Sequence, residues 1–290
     1  MDETASIAAE KGGEPLGRLP TPGEEAYMRQ GATPVLSSVL VSNSDYLNNP
    51  LYRDTYAQFA LRRYGRDLPT TYLIPNMVRS LSECRDDGKF LALVQRERSR
   101  RPAFADWLDR RQFTSYDPVS LRYCAPGTLG ATIRAFVEDS GMQMEFLSRE
   151  LGVHNDLNYM QKRRAACHDI EHMVTGFGPN QLGELALNMV NNAGNAAYFS
   201  PDLAKYLNEA TMFTSSTSYY RHSLHYPALM PGIFEAMKLG IAAGQSLRMP
   251  LLMVRWEEYL DWPLDEIAAD LGFERGPGAA WDYSNELGVG

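Results

Sequence analysis

The stretch His168-Asp-Ile-Glu-His-Met-Val-Thr-Gly-Phe-Gly-Pro-Asn-Gln-Leu-Gly-Glu184 decides how this chain is read. His168 and His172 are four residues apart, so on an α-helix they lie about 40° apart in projection and about 6 Å apart along the axis. Asp169 falls about 60° round from His172, on the flank of the same face. The run Gly176-Phe-Gly-Pro-Asn180 breaks the pattern and ends one helix before another begins. Glu184 then sits near the start of the second helix, from where it folds back towards the two imidazoles. Two neutral nitrogens and two carboxylates suit Zn²⁺ or a similar first-row cation, and the charges balance. The candidate metal ligands are therefore His168, Asp169, His172 and Glu184. The plainer meaning of such a pair is core histidines held by hydrogen bonds, or a polar helix face. Cys167 precedes His168 but points about 100° away from it on a helix, and is read as packing.

Outside this stretch helical spacing recurs. From Ser44 to Arg66 the apolar set is Tyr52, Tyr56, Phe59, Ala60 and Tyr64, bounded by Gly65 and Pro69. Pro75 opens a helix to about Cys84, and Asp86-Asp87-Gly88 reads as a turn. Lys89 to Arg98 and Pro102 to Gln112 follow. Pro126-Gly127 is a turn, Thr128 is the N-cap of a helix with Ile133, Phe136 and Val137 on one face, and Met142 to Leu151 continues as helix. The metal-bearing helix is Tyr159 to Gly176. Beyond it come Glu184 to Ala197, Leu203 to Phe213, Pro231 to Gly244, Leu251 to Leu260, and an amphipathic helix from Pro263 to Gly272. Strand-like alternation is scarce. The expectation is an all-α, mostly α-helical protein: a disordered, Gly- and Pro-rich N-terminal arm (1–35), a single helical domain (36–273) and a polar C-terminal tail (274–290).

Composition narrows the function. With 28 Lys and Arg against 36 Asp and Glu, the net charge is −8, which argues against nucleic acid as a partner. The basic run Arg96 to Arg101 reads as a solvated helix face. The three cysteines show no CxxC spacing and fit a reducing interior. No apolar run is long enough to cross a bilayer, and the acidic start is not a secretory signal. The chain is thus expected to be cytoplasmic, or peripheral on the inner face of a membrane, and not secreted. His222 and His225, in an aromatic patch, read either as proton donors near the site or as part of an interface. Arg163 and Arg164 could anchor an anion, but a solvated pair is the commoner meaning. Leu229, Met230, Ile233, Phe234, Met237, Leu251, Leu252 and Met253 could line a tunnel for a prenyl chain, with core packing the default.

The sequence resembles the coenzyme Q biosynthesis protein 4 family. The likeness is carried by His-Asp-x-x-His, eleven residues, then Glu, here His168, Asp169, His172 and Glu184. Gly176 and Asn180-Gln-Leu-Gly183 belong to it. So do Pro126-Gly-Thr-Leu-Gly130, Trp256-Glu-Glu258, Pro263-Leu-Asp-Glu-Ile267 and Leu271-Gly272, all in order over roughly residues 120 to 273. The resemblance implies a helical, often homodimeric, membrane-peripheral protein acting late in ubiquinone assembly beside other quinone-biosynthesis proteins. It implies a divalent ion, usually zinc with Fe or Mn as alternatives, beside a hydrophobic cavity for a polyprenylated quinone precursor. It also implies replacement of the ring carboxyl at C1 by a hydroxyl, an oxidative decarboxylation. Where the family commonly has an Arg in the closing helix this chain has Ala268-Ala269, and residues 1–120 match weakly.

Three other readings compete. A zinc hydrolase is suggested by the nearness of HDxxH to HExxH, although the shorter Asp side chain would act as ligand and not as a general base. The HD phosphohydrolases share the His-Asp pair but use distant further ligands. A non-catalytic scaffold that binds a prenyl lipid and organises a biosynthetic complex would hold a structural, closed metal site.

Overall fold

The computed structural model describes residues 21–23, 43–63, 70–114, 116–141, 144 and 148–287. The expected N-terminal arm, save 21–23, lies outside the described residues, as do Tyr64, Gly65, Pro69 and residues 142, 143 and 145–147. The described rest of the helix expected from Met142 to Leu151, residues 144 and 148–151, is turn and irregular chain instead, because Gly141 at φ 67° ends the preceding helix. Among the described residues there is no strand, only an isolated bridge between Thr128 and Pro263, and the protein is all-α as expected.

After a single turn at Asp45–Asn48 the helices are α1 (Pro50–Leu61), α2 (Ile74–Cys84), α3 (Asp87–Arg100), α4 (Pro102–Arg110), α5 (Leu129–Ser140), α6 (Asp156–Thr175), α7 (Gln181–Tyr198), α8 (Pro201–His225), α9 (Met230–Ser246) and α10 (Leu264–Leu271). Polar caps set several of the starts. Asn49, Thr128, Asn155 and Asn180 each accept a backbone N–H from the first turn of α1, α5, α6 and α7. Asp86-Asp87-Gly88, read as a turn, instead opens α3, because the Asp86 carboxylate accepts from Lys89 N at 2.9 Å and caps the helix.

The helix expected over Leu251 to Leu260 does not form. Two 3₁₀ turns, Leu251–Met253 and Trp256–Glu258, stand there with Val254 and Arg255 extended between them. The reason is Arg163 on α6. Its Nη2 donates to the Val254 carbonyl at 2.9 Å, and its guanidinium forms a paired contact with Glu257 at 2.5 and 2.9 Å. A continuous helix would need that carbonyl for itself. Arg163 is only 2% exposed, so the solvated reading of this residue is wrong.

α7 is the central helix, packed against both α8 and α9, and 11 of its 18 residues are buried. The approach of α9 is close enough to exclude side chains. A Cβ on Gly240 would fall 2.3 Å from the Ala186 carbonyl oxygen, and one on Gly244 would fall 2.4 Å from that of Val190. The main core gathers Leu129, Ile133, Ile170, Leu182, Leu185, Ile233, Trp256 and Ile267 from α5, α6, α7, α9, α10 and the 3₁₀ turns. A second cluster joins α3 and α4 to the starts of α6 and α8, and a third stacks Tyr52, Tyr56 and Phe59 of α1 edge-on against Phe213 of α8.

The described part of the expected polar tail, residues 274–287, is not simply a tail. Arg275 donates to the Met173 and Val174 carbonyls, both at 3.0 Å, and Gly276 and Gly278 donate their N–H groups to the Thr175 and Gly176 carbonyls. Trp281 stacks on Phe177, with ring centroids 5.9 Å apart. This segment satisfies the orphan carbonyls at the end of α6, which a helix cannot pair by itself.

The glycine contacts lead to a stability forecast. Gly240→Ala and Gly244→Ala gain about 1 kcal/mol of helix propensity each, but overpacking against a backbone carbonyl costs about 1–3 kcal/mol. Chemical denaturation should find both variants less stable than the wild type. Equal or greater stability would show that α7 and α9 can move apart freely.

Candidate metal centre

The turn between α6 and α7 builds the centre. α6 ends with Gly176 at φ 71°, a left-handed conformation that glycine adopts without strain, and its N–H donates to the His172 carbonyl. The chain then folds so tightly that a Cβ on Gly183 would lie 2.0 Å from the Gly178 carbonyl oxygen. Asn180 caps α7 by accepting from Gly183 N at 2.9 Å, and is itself held by Asp282 and Ser284. Glu184 therefore sits in the first turn of α7, where the helix dipole favours a negative charge, facing back onto α6.

There the structure brings together His168, His172 and Glu184, each offering one donor atom, with all three donors within 4.8 Å of one another. The two imidazole Nε2 atoms are 3.2 Å apart. Glu184 Oε1 lies 3.2 Å from His172 Nε2, and Oε2 lies 3.6 Å from His168 Nε2. The side chain of His172 is 4% exposed, whereas those of His168 and Glu184 are 40% and 48% exposed, so the group opens to solvent on one side. Asp169 is not one of the group. It lies close enough to His168 for its charge to favour the imidazolium.

The chemistry of this donor set fits a divalent ion. His172 Nδ1 is 2.5 Å from the Phe177 carbonyl, which can only accept, so Nδ1 carries the proton. In the neutral ring Nε2 then presents a lone pair to Glu184 Oε1, itself an acceptor. Two lone pairs at 3.2 Å repel unless a metal ion or a proton lies between or beside them. A tetrahedral ion with bonds of about 2.0–2.1 Å to N and O sets its donors about 3.3 Å apart, which is the spacing found here. A backbone carbonyl fixing the tautomer of a histidine ligand is the usual outer support of such sites.

Without an ion, protons take its place. Burial works against charge on His168, but the Glu184 hydrogen bond and the charges of Glu184, Asp169 and Glu171 outweigh it and lift the imidazole to about 9. Burial would raise the Glu184 carboxyl, yet His172 and His168 hold it well below the usual carboxylate range. Cys167 packs in the core as expected, its thiol pushed up to about 12, chiefly by burial.

Other candidates are placed elsewhere. His222 is fully buried, with Nδ1 2.6 Å from the Ser218 carbonyl, and His225 Nε2 is 2.7 Å from the Leu61 carbonyl. Neither belongs to the cluster. Leu229, Ile233, Leu251, Leu252 and Met253 are core residues, while Phe234 is exposed. Surface clefts lie between Asp45 and Asp86 and around Glu97 and Ser200, apart from His168. Sequence reading missed the buried acid Glu171, which accepts from Asn191 at 2.9 Å. Its position three residues after His168 was the available signal.

The fold and cluster define an all-helical protein with two histidines and a glutamate gathered at a helix–turn–helix. Residues 108–277 match the family model of the coenzyme Q (ubiquinone) biosynthesis protein Coq4, and the chain belongs to that family. The resemblance read from the motifs holds. The chain is similar to the mitochondrial ubiquinone biosynthesis proteins COQ4 of Clavispora lusitaniae (27% identity over 58% of this chain and 49% of the relative) and Arthroderma otae (27% over 58% and 59%). It thus spans about half the length of the curated relatives it matches. A crystal structure from Nostoc punctiforme PCC 73102, provisionally assigned to ubiquinone biosynthesis, shares the fold. It superposes with a TM-score of 0.55 at 19% identity, over 76% of this chain and 95% of that one.

Two measurements probe the surroundings of the cluster. Glu257→Gln leaves the buried Arg163 guanidinium without its counter-charge and should cost about 3–5 kcal/mol in chemical denaturation; a loss under about 1 kcal/mol would mean that the pair is effectively hydrated. Burial, with Arg221 adding to it against the Ser218 carbonyl, holds His222 down at about 4, well below its ordinary 6.5. The unfolded chain therefore takes up the proton first as pH falls. The contribution is present above about 6.5 and is lost towards about 4, up to roughly 3 kcal/mol. His222→Gln should flatten the stability profile between pH 7 and 4.5. An unchanged slope would rule this origin out.

Proposed function

We propose that this protein acts in ubiquinone biosynthesis. In this reading it removes the C1 carboxyl of a polyprenylated, 4-hydroxybenzoate-derived ring and leaves a hydroxyl there. His168, His172 and Glu184 would hold the metal, zinc or another divalent ion such as Fe or Mn, with Asp169 beside them. The observation that carries this reading is the gathering of two imidazole nitrogens and a carboxylate oxygen within 4.8 Å of one another, with the Phe177 carbonyl orienting His172 so that its Nε2 faces Glu184. When bound, a divalent ion supplies a Lewis acid for the negative charge of the ring carboxylate.

The chain's own residues do the rest. The Phe177 carbonyl fixes the ring of His172, and the tight turn at Gly178 and Gly183 fixes Glu184. Asp169 keeps negative charge beside His168. Replacing the carboxyl by a hydroxyl takes two electrons from the ring and needs an oxidant, for which dioxygen is the simplest choice.

The second reading is a prenyl-lipid-binding scaffold with a structural metal. Structural sites are closed by four protein ligands, whereas catalytic sites keep a position open. Three gathered ligands, two of them about half exposed, favour the catalytic reading. A homodimer, contact with other quinone-biosynthesis proteins and peripheral attachment to a membrane belong to the proposal as well. Among the described residues, no helix is long and apolar enough to cross a membrane.

Metal-stripped protein should take up about one divalent ion per chain, and Glu184→Ala much less, as read by elemental analysis. Metal-loaded wild type should release CO₂ from a prenylated 4-hydroxybenzoate-type acid under oxygen, and Glu184→Ala should not. Equal and negligible uptake by both proteins would remove the site. Uptake without CO₂ release would leave the scaffold reading standing.

A further inference from the structure

α6 carries two adjacent arginines with opposite surroundings. Arg163 is fully engaged with Glu257 and the Gln112 and Val254 carbonyls. Arg164 makes one long contact, from Nη1 to the Leu207 carbonyl at 3.4 Å, and no carboxylate among the described residues is bonded to it. Its side chain is partly accessible, yet burial lowers its pKa and only the charge of Glu171 works the other way. A guanidinium stays protonated in such a place and calls for an anion.

Its position relative to the cluster is set by the two helices. Arg164 is four residues before His168, so their Cβ atoms lie about 5–6 Å apart on one face. Glu171, on that same face, reaches Asn191 of α7, which places this side of α6 against α7. On α7, Asn188 is four residues after Glu184, and it too is partly exposed. The short 176–180 turn reverses the chain, since Glu184 in the first turn of α7 meets His172 in the last turn of α6. The step from His168 back to Arg164 and the step from Glu184 on to Asn188 therefore lead the same way, each about 6 Å along the axis. Beneath them lies the Glu171–Asn191 contact, with Glu171 Oε1 buried and without a partner.

We propose that Arg164, assisted by Asn188, is a second anion-holding pole on this face, one helical turn from the His168–His172–Glu184 cluster, and that it grips the ring oxygen para to the carboxyl of a 4-hydroxybenzoate-type substrate. The assignment rests on the reading that the cluster receives the carboxylate. A para-substituted benzene ring sets its hydroxyl oxygen about 6 Å from its carboxyl carbon, and the Arg164 side chain, tilted towards the N-terminus of α6 and so away from His168, has the length to meet that oxygen when the carboxylate is held at the cluster. A meta-hydroxyl points off that line. Hydrogen bonds from a guanidinium to an ionised oxygen are among the stronger ones in proteins, so the pole favours the phenolate over the phenol.

Calorimetric titration of zinc-loaded full-length protein with 4-hydroxybenzoate, 3-hydroxybenzoate and benzoate tests this directly. The wild type should prefer the para-hydroxy acid. Arg164→Met should lose that preference at least tenfold while its zinc content stays unchanged, Arg164→Lys should keep part of it, and Asn188→Ala should weaken it less. Difference absorbance should show an ionised phenol bound to the wild type at neutral pH and none bound to Arg164→Met. Equal binding of 4-hydroxybenzoate and benzoate by zinc-loaded wild type would overturn the assignment. So would an Arg164→Met protein that melts earlier yet keeps the preference, since Arg164 would then only neutralise Glu171. Should Arg164→Met fail to fold, an undiminished para preference in both Arg164→Lys and Asn188→Ala would be equally fatal. Failure of the metal reading looks different: neither wild type nor Glu184→Ala would take up zinc.

Discussion

The close contact between Gly183 and the Gly178 carbonyl is the constraint on which the centre depends. No side chain fits between the end of the turn and the start of α7, so the first turn of α7 is pressed back against the last turn of α6. That is what carries Glu184 onto the two imidazoles. The same turn delivers the Phe177 carbonyl to His172 Nδ1, so one short loop sets both the position of the acid and the tautomer of the base. The C-terminal segment then locks the loop from outside through Trp281 and Asp282.

A second feature is the amount of polarity that the helical interior tolerates around α7. Asn191, Asn192, Asn195, Asn208 and Thr211 bond to one another or to nearby backbone, and Asn191 serves Glu171. Buried polar groups are costly unless paired, and a paired network fixes one arrangement of helices more strictly than apolar packing does. Here the network holds α6, α7 and α8 in register behind the cluster, while Gly240 and Gly244 hold α9 on the other side. The centre can open to solvent because the helices that carry it are fixed from behind.

Openness on one side also gives the cluster its chemical character. A histidine pair sealed in a core would serve structure alone. Here one imidazole is buried and oriented, the other is half exposed, and the acid beside them is half exposed too. A guanidinium to which no carboxylate among the described residues is bonded stands one turn away on the same face.

The sequence by itself determined most of the helices, the cap at Thr128, and the gathering of His168, His172 and Glu184. These depend on spacing along one helix or across one short turn, which local physics resolves. It did not determine the fate of Arg163 and Arg164, which are adjacent in the chain and identical in chemistry. Only the folded chain brings Glu257 to the first and leaves the second without an acid, since that partner lies 94 residues away. The same long-range contact broke the helix expected over 251–260. The tail misled for a similar reason: the need it meets, the orphan carbonyls at the end of α6, lies about a hundred residues earlier, and no local pattern in 274–290 could announce it.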